Sequence, residues 1–178
     1  LSIIGGLLTP DEGRVLVSGE DPYRLSPNRR AVWRASRIGF LFQHFHLLPF
    51  LSALDNVCAH GLASAQEGIR ADATALLERF GLGDRLQHPP SRLSAGEQQR
   101  VALARAVIGK PSIILADEPT GNLDQQTAAK VIELLTELNR QHGTTLALVT
   151  HDLELPKRCD RTLHMKNGVI EEFNHDQG

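Results

Sequence analysis

The run Ser112-Ile113-Ile114-Leu115-Ala116-Asp117-Glu118-Pro119-Thr120 constrains this chain more than any other segment. Its apolar residues follow one another without polar alternation. That pattern suits a strand buried on both faces of a parallel sheet and not one with a wet face. The fold class expected is therefore α/β. Two carboxylates, Asp117 and Glu118, follow where the strand ends, and in open α/β sheets ligand chemistry collects at the carboxyl ends of strands. Adjacent side chains on an extended chain point opposite ways, so the two acids can serve separate roles.

Two further apolar runs read as buried strands. Residues 38–42 lead to Gln43, and residues 145–149 lead to Thr150-His151-Asp152. Upstream of the acidic strand, Leu93-Ser94-Ala95-Gly96-Glu97-Gln98 opens a helix. Ser94 and Glu97 have the spacing of a capping box, and Val101, Leu103, Ala104, Val107 and Ile108 form a broad apolar face before Gly109 and Pro111 stop it. A small Ala95-Gly96 pair and a hydroxyl at a helix start also suit a phosphate, because the first N–H groups there lack helical acceptors. Asp124 reads as the N-cap of an amphipathic helix marked by Val131, Leu134, Leu135 and Leu138, with His142-Gly143 as its stop.

Together these segments resemble the ATP-binding cassette (ABC) ATPases. Leu93 to Gln98 is similar to the signature motif, Ile113 to Glu118 to the Walker B strand, Gly121-Asn122-Leu123-Asp124 to the D-loop, Thr150-His151-Asp152 to the switch histidine, and Gln43 to the Q-loop glutamine. The five occur in family order across residues 38–152. The wording of residues 116–124, of Gly143-Thr144-Thr145 and of Gln43-His44-Phe45-His46-Leu47-Leu48-Pro49 resembles the ATPases of lipoprotein-releasing and macrolide-exporting transporters (LolD, MacB and YbbA type).

The resemblance implies a P-loop NTPase (RecA-like) core with a mainly parallel sheet and an inserted helical subdomain. Residues 1–48 and 110–178 fall to the core, and residues 49–109 to the helical part with the signature. ATP and Mg²⁺ are the implied ligands. Asp117 would hold the metal with Gln43, Glu118 would serve as general base, and His151 would contact the γ-phosphate. Ser94, Ala95, Gly96 and Glu97 would cap a nucleotide held by a second copy in a head-to-tail homodimer, with Asp124 nearby. Ala95 stands where glycine is more usual and Glu97 where glutamine is, so the signature should bind with altered affinity and an added charge near phosphate. The loop after Gln43, with Phe45, Leu47, Leu48, Pro49, Phe50 and Leu51, would face an integral-membrane permease, with the ATPase lying peripherally on the cytoplasmic face of the inner membrane. Two other readings stay open at this point: a non-transport ATPase of the same type, and a non-catalytic fragment that keeps only a partner-binding surface.

The phosphate cradle of such enzymes, Gly-x-x-x-x-Gly-Lys-Ser/Thr, has no match in these 178 residues. The only Gly-Lys pair, Gly109-Lys110, precedes a proline. Leu1 to Leu8 reads as the tail of the helix that such a cradle opens. The expectation is an N-terminally truncated chain that by itself neither binds nor hydrolyses ATP appreciably. Net charge is −2, which gives no general drive toward nucleic acid. Cys58 and Cys159 lack metal-type spacing and read as free thiols. His44 and His46 form a His-x-His pair without further ligands nearby in sequence, which argues against a metal site there. No apolar run is long enough for a membrane span.

The remaining expectations are local. Residues 14–19 read as a strand and Ser26 as a helix N-cap. The following helix carries Arg29, Arg30, Arg34 and Arg37, read as a solvated face. Residues 55–65 and 71–80 read as helices. Residues 161–165 and 169–173 read as a hairpin about Asn167-Gly168.

Overall fold

The computed structural model describes residues 1–64, 68–152 and 154–173. Three strands, β1 (Ile38–Leu41), β2 (Ile113–Asp117) and β3 (Thr145–Val149), form a parallel sheet in the order β1-β2-β3. Ile38 pairs with Ile113 and Leu41 with Ala116; Ile113 pairs with Thr145 and Asp117 with Val149. In this register all three strands finish at one edge of the sheet. Gln43, Glu118 and His151, each one or two residues past a strand end, rise from that edge.

The unbroken apolar run of β2 is explained by burial on both sides. Ile114 and Ala116 belong to one hydrophobic cluster, with Leu41, Leu103, Val131 and Leu135. Leu115 belongs to a second cluster with Val17, Trp33 and Ile38, and Phe40 and Ile113 pack against it. A period of two thus sends alternate residues into different cores. Full burial of a large apolar side chain is worth roughly 1.5–3 kcal/mol, so a polar residue at Ile114, Leu115 or Ala116 would be costly.

Between β1 and β2 the chain forms α2 (Ala53–Ser64), α3 (Ile69–Arg79) and α4 (Ala95–Val107). The expected helices over 55–65 and 71–80 are these first two, each starting about two residues earlier; residue 65, at the end of the first expected helix, lies outside the described residues. Val57, Ala73, Leu77, Val101 and Leu103 join the same cluster as the sheet residues above, so the helical block and the sheet share one core. Helix α4 lies directly on β1: a Cβ on Gly39 would sit 2.4 Å from the carbonyl oxygen of Ala106. Only glycine permits that approach.

Helix α1 (Pro27–Arg37) is capped by Ser26, as expected. Its arginines are not all solvated, since Arg34 donates to the Gly6 carbonyl at 3.2 Å and Arg30 lies over the Tyr23 ring. Helix α5 (Gln125–His142) is capped by Asp124 and ends at Gly143 in the left-handed region. Strands β4 (Thr162–Lys166) and β5 (Val169–Phe173) form the expected hairpin, with Asn167 and Gly168 both at positive φ as its tight turn demands.

One expected strand is absent. Residues 14–19 make a single bridge, Val17 to Glu20, closed by two backbone bonds of 2.9 and 3.0 Å. Ser18 (φ 51°) and Gly19 (φ 80°) reverse the chain at once. A strand needs a neighbour to satisfy its backbone groups, and among the described residues none beyond Glu20 forms a bridge with this segment. Residues 1–8 make a helix-ending turn instead of a regular helix. Gly5 N–H donates to Leu1, Leu7 N–H to Ser2 and Gly6 N–H to Ile3, with Gly6 at φ 69°. That pairing is the usual way a helix closes on glycine.

Candidate functional site

At the sheet edge, Glu118 is the centre of a bonded cluster. Its backbone N–H continues the β2–β3 ladder by donating to the Val149 carbonyl at 2.9 Å. Its φ is 44°, a left-handed conformation that non-glycine residues seldom adopt. The side chain runs to the end of β3. Oε1 accepts the His151 backbone N–H at 2.7 Å and lies 2.7 Å from His151 Nδ1, while Oε2 accepts the Thr150 hydroxyl at 3.2 Å. Nδ1 is thus the ring nitrogen that meets the carboxylate, and Nε2 is the one left for a further partner. The His151 side chain is 80% exposed against 17% for Glu118, so the pair presents a half-sheltered base beneath an accessible imidazole.

Asp117 ends β2 and is exposed. Gln43 reaches the same place from β1: its Nε2 would lie 3.3 Å from a Cβ on Gly121, and that Cβ would lie 3.6 Å from the Cβ of Glu118. Gly121 therefore leaves room for the Gln43 amide. The Gln43 carbonyl accepts from Asn122 Nδ2 at 2.9 Å. Gln99, fully buried in α4, donates to the Pro119 carbonyl and so holds the backbone just after Glu118. The four residues expected to act on nucleotide and metal, Gln43, Asp117, Glu118 and His151, thus gather at one edge. The acid and amide donors there are hard oxygen ligands suited to Mg²⁺, which takes few protein ligands and keeps its waters. Among the described residues no group of three or more His, Cys, Asp or Glu is placed to hold a metal.

Ser94, Ala95, Gly96, Glu97 and Asp124 lie elsewhere. With Arg100, Asn122, Leu123 and Thr127 they line an open groove of about 340 Å³ between the N-termini of α4 and α5. The capping box is complete. Ser94 Oγ accepts the Glu97 N–H at 3.3 Å, and Glu97 Oε2 accepts the Ser94 N–H at 2.8 Å. Glu97 Oε1 also accepts Arg85 Nε at 3.1 Å. The Ser94 N–H, helped by the Ser94 hydroxyl and the Arg85 guanidinium, holds the Glu97 carboxyl below the usual carboxylate range. The expected added charge near phosphate is therefore spent within the protein. Asp124 is likewise occupied: it accepts the Gln126 and Thr127 N–H groups at 3.1 and 3.0 Å, and the Thr127 hydroxyl and these N–H groups lower its pKa. A Cβ on Gly96 would lie 2.4 Å from Thr127 Cγ2, so the two helix starts meet through a missing side chain.

Several contributors had no sequence signal. Arg85 is 12 residues from its partner Glu97, and Thr150 was visible only as part of a motif. Asn56 is fully buried and organises the loop before α2. Its Oδ1 accepts the Leu48 N–H at 2.7 Å, and its Nδ2 donates to the Leu48, Leu51 and Ser52 carbonyls. That loop displays Phe50 at 79% exposure, whereas Phe45 and Leu47 pack against the core. Burial pushes the Cys58 and Cys159 thiols up, and both are free cysteines, as expected.

The chain has close likenesses among known proteins. The family model described as ABC transporter matches residues 1–121. YbbA of Escherichia coli strain K12, an uncharacterized ABC transporter ATP-binding protein, is 51% identical over 176 residues, covering 97% of this chain and 76% of the relative. The lipoprotein-releasing system ATP-binding protein LolD of Shewanella sp. strain MR-7 is 50% identical over 173 residues, covering 96% of this chain and 75% of the relative. A dimeric ATP-binding cassette solved in a post-hydrolysis state with ADP and Pi superposes with a TM-score of 0.86 at 38% identity. It covers 96% of this chain and 78% of that one.

Proposed function

We propose that this chain, which belongs to the ABC transporter family as an ATP-binding subunit, hydrolyses ATP only together with a phosphate cradle that its 178 residues do not contain, and that it works as a head-to-tail pair of cassettes on a membrane permease that releases or exports lipoproteins. The substrate class is carried over from the LolD relatives. The reading of the chemistry rests on one observation, the meeting of Gln43, Asp117, Glu118 and His151 at a single sheet edge, with Glu118 bonded to the end of β3.

Hydrolysis is in-line attack of water on the γ-phosphate, for which a protein supplies position and charge. Glu118 takes the proton from the attacking water. Its three donors hold the carboxylate in place, so it need not reorient as the reaction proceeds. His151 meets the γ-phosphate from its exposed side. Asp117 and Gln43 would hold Mg²⁺, whose charge offsets that of the phosphates. The groove over Ser94, Ala95 and Gly96 serves the nucleotide of the partner copy, since the first N–H groups of α4 lack helical acceptors. Residues 49–109 act as the helical subdomain, and the chain lies peripherally on the cytoplasmic face of the inner membrane. Among the described residues no helix is long and apolar enough to cross a membrane, so the pathway for substrate belongs to the permease.

The permease contact is testable at Phe50. A side chain 79% exposed on a loop pinned by Asn56 has little to contribute to folding. Phe50→Asp should abolish capture by the permease in a pull-down while the melting temperature stays near wild type. Undiminished capture would remove this loop from the proposed contact. Leu51 is a poorer probe because it is half-buried.

A further inference from the structure

Helix α4 carries the signature at its start and an unusual contact near its end. The half-buried Arg105 guanidinium donates from Nη1 to the His46 carbonyl at 2.6 Å and from Nη2 to the Phe45 carbonyl at 2.8 Å. No carboxylate pairs with it among the described salt bridges. Burial disfavours its charged form and lowers its pKa, and a buried charge without a counter-ion is retained at a cost. Both acceptors are backbone groups, two and three residues past Gln43. On the other side of Gln43, Gly39 brings β1 against the Ala106 carbonyl of the same helical turn. One turn of α4 therefore grips the chain both before and after Gln43. His46, at φ 47°, is held in the left-handed region, and its ring packs edge-on against Phe42 at 5.1 Å.

We propose that Arg105 is a positioning residue for ATP hydrolysis: it ties the backbone beyond Gln43 to the signature helix, so that the Gln43 amide moves with that helix. A capping-box helix is stiff along its length. A displacement of its N-terminus by a partner's nucleotide is then felt at its last turns, and the two planar, forked bonds pass it to the Phe45–His46 backbone. Lysine cannot reproduce this, because one ammonium lacks the fixed fork that meets two neighbouring carbonyls at once. The inference rests on the assignment of Gln43 given above.

The test is a double-mutant cycle in the full, ATP-hydrolysing chain with Arg105→Lys and Gln43→Ala. Arg105→Lys should lower kcat by about 10- to 100-fold, the scale of an ångström-sized misplacement, with KM for MgATP unchanged. In the Gln43→Ala background the same change should cause no further loss, because the two residues act as one unit. Hydrogen exchange should rise at the amides of residues 44–48 and not along α4. If Arg105→Lys fails to fold, Arg105→Gln enters the same cycle. Multiplicative losses in kcat would overturn the role of Arg105 alone. An unchanged kcat in Gln43→Ala by itself would instead overturn the assignment of Gln43 on which the inference stands.

Discussion

The sheet edge and the groove between α4 and α5 handle polar groups in opposite ways. At the edge, one carboxylate accepts three bonds and sits on a residue in left-handed backbone. In the groove, Glu97 and Asp124 close off helix ends, and each helix is more stable for it. On the role proposed for Glu118, the first arrangement places a base where a substrate must come. The second makes a well-built helix start that still has N–H groups to offer. Loss of a residue at the edge should therefore show in rate without loss of stability, and loss of one in the groove should show in stability whatever it also does to the partner copy's nucleotide.

The sharpest way to break this contrast is Glu118→Gln. The amide keeps the size but cannot take a proton, and loss of a general base costs about 10² to 10⁴ in rate. In the full, ATP-hydrolysing chain with its phosphate cradle, turnover should collapse while ATP binding and the melting temperature hold. A variant that melts much earlier would show that the edge is structural after all. Next in size is Gly96→Ala, which sets a methyl group against Thr127 Cγ2. Overpacking of this kind costs about 1–3 kcal/mol. Thr127→Ser removes the opposing methyl and should restore stability measured by chemical denaturation. No rescue would mean that the two helix starts do not meet as described.

Smaller effects refine the groove side. Ser94→Ala removes the hydroxyl that caps α4 and should cost about 1 kcal/mol. Proton linkage at Glu97 gives the smallest signal. Its folded pKa is depressed, so its contribution is complete above the unfolded value of about 4.3 and fades as pH falls through the folded value. Glu97→Gln should flatten that acid limb of the stability curve measured between about pH 5 and pH 3. An identical slope in both proteins would place the linkage on other carboxylates.

What could be read from the chain alone follows from the range of the forces involved. The strands 38–41, 113–117 and 145–149, the Ser94–Glu97 box and the Asp124 cap are local, and each carries its cause within a few residues. The burial expected of 145–149 is not met: Leu146, Ala147 and Leu148 are half-buried and Thr145 and Val149 exposed, on an outer strand of the three. The gathering of Gln43, Asp117, Glu118 and His151 was legible only as a family likeness, because register across three strands decides it. Arg85 on Glu97, Arg105 on the Phe45 and His46 carbonyls, and Asn56 inside its loop had no local signature. The expected strand over 14–19 erred for the complementary reason: its apolar residues suit a strand, but the Ser18-Gly19 reversal leaves it no neighbour.

The left-handed backbone of Glu118 has a consequence for how the protein can change. A non-glycine residue there costs roughly 1–2 kcal/mol against the ordinary right-handed region. Glycine adopts that conformation at little cost, and asparagine tolerates it better than most. Glycine or asparagine at position 118 would relieve that backbone cost, glycine giving up the three bonds the carboxylate accepts, and on the role proposed for Glu118 either would be inert. A demand for turnover keeps the glutamate there, so backbone ease and work are in conflict at this one residue.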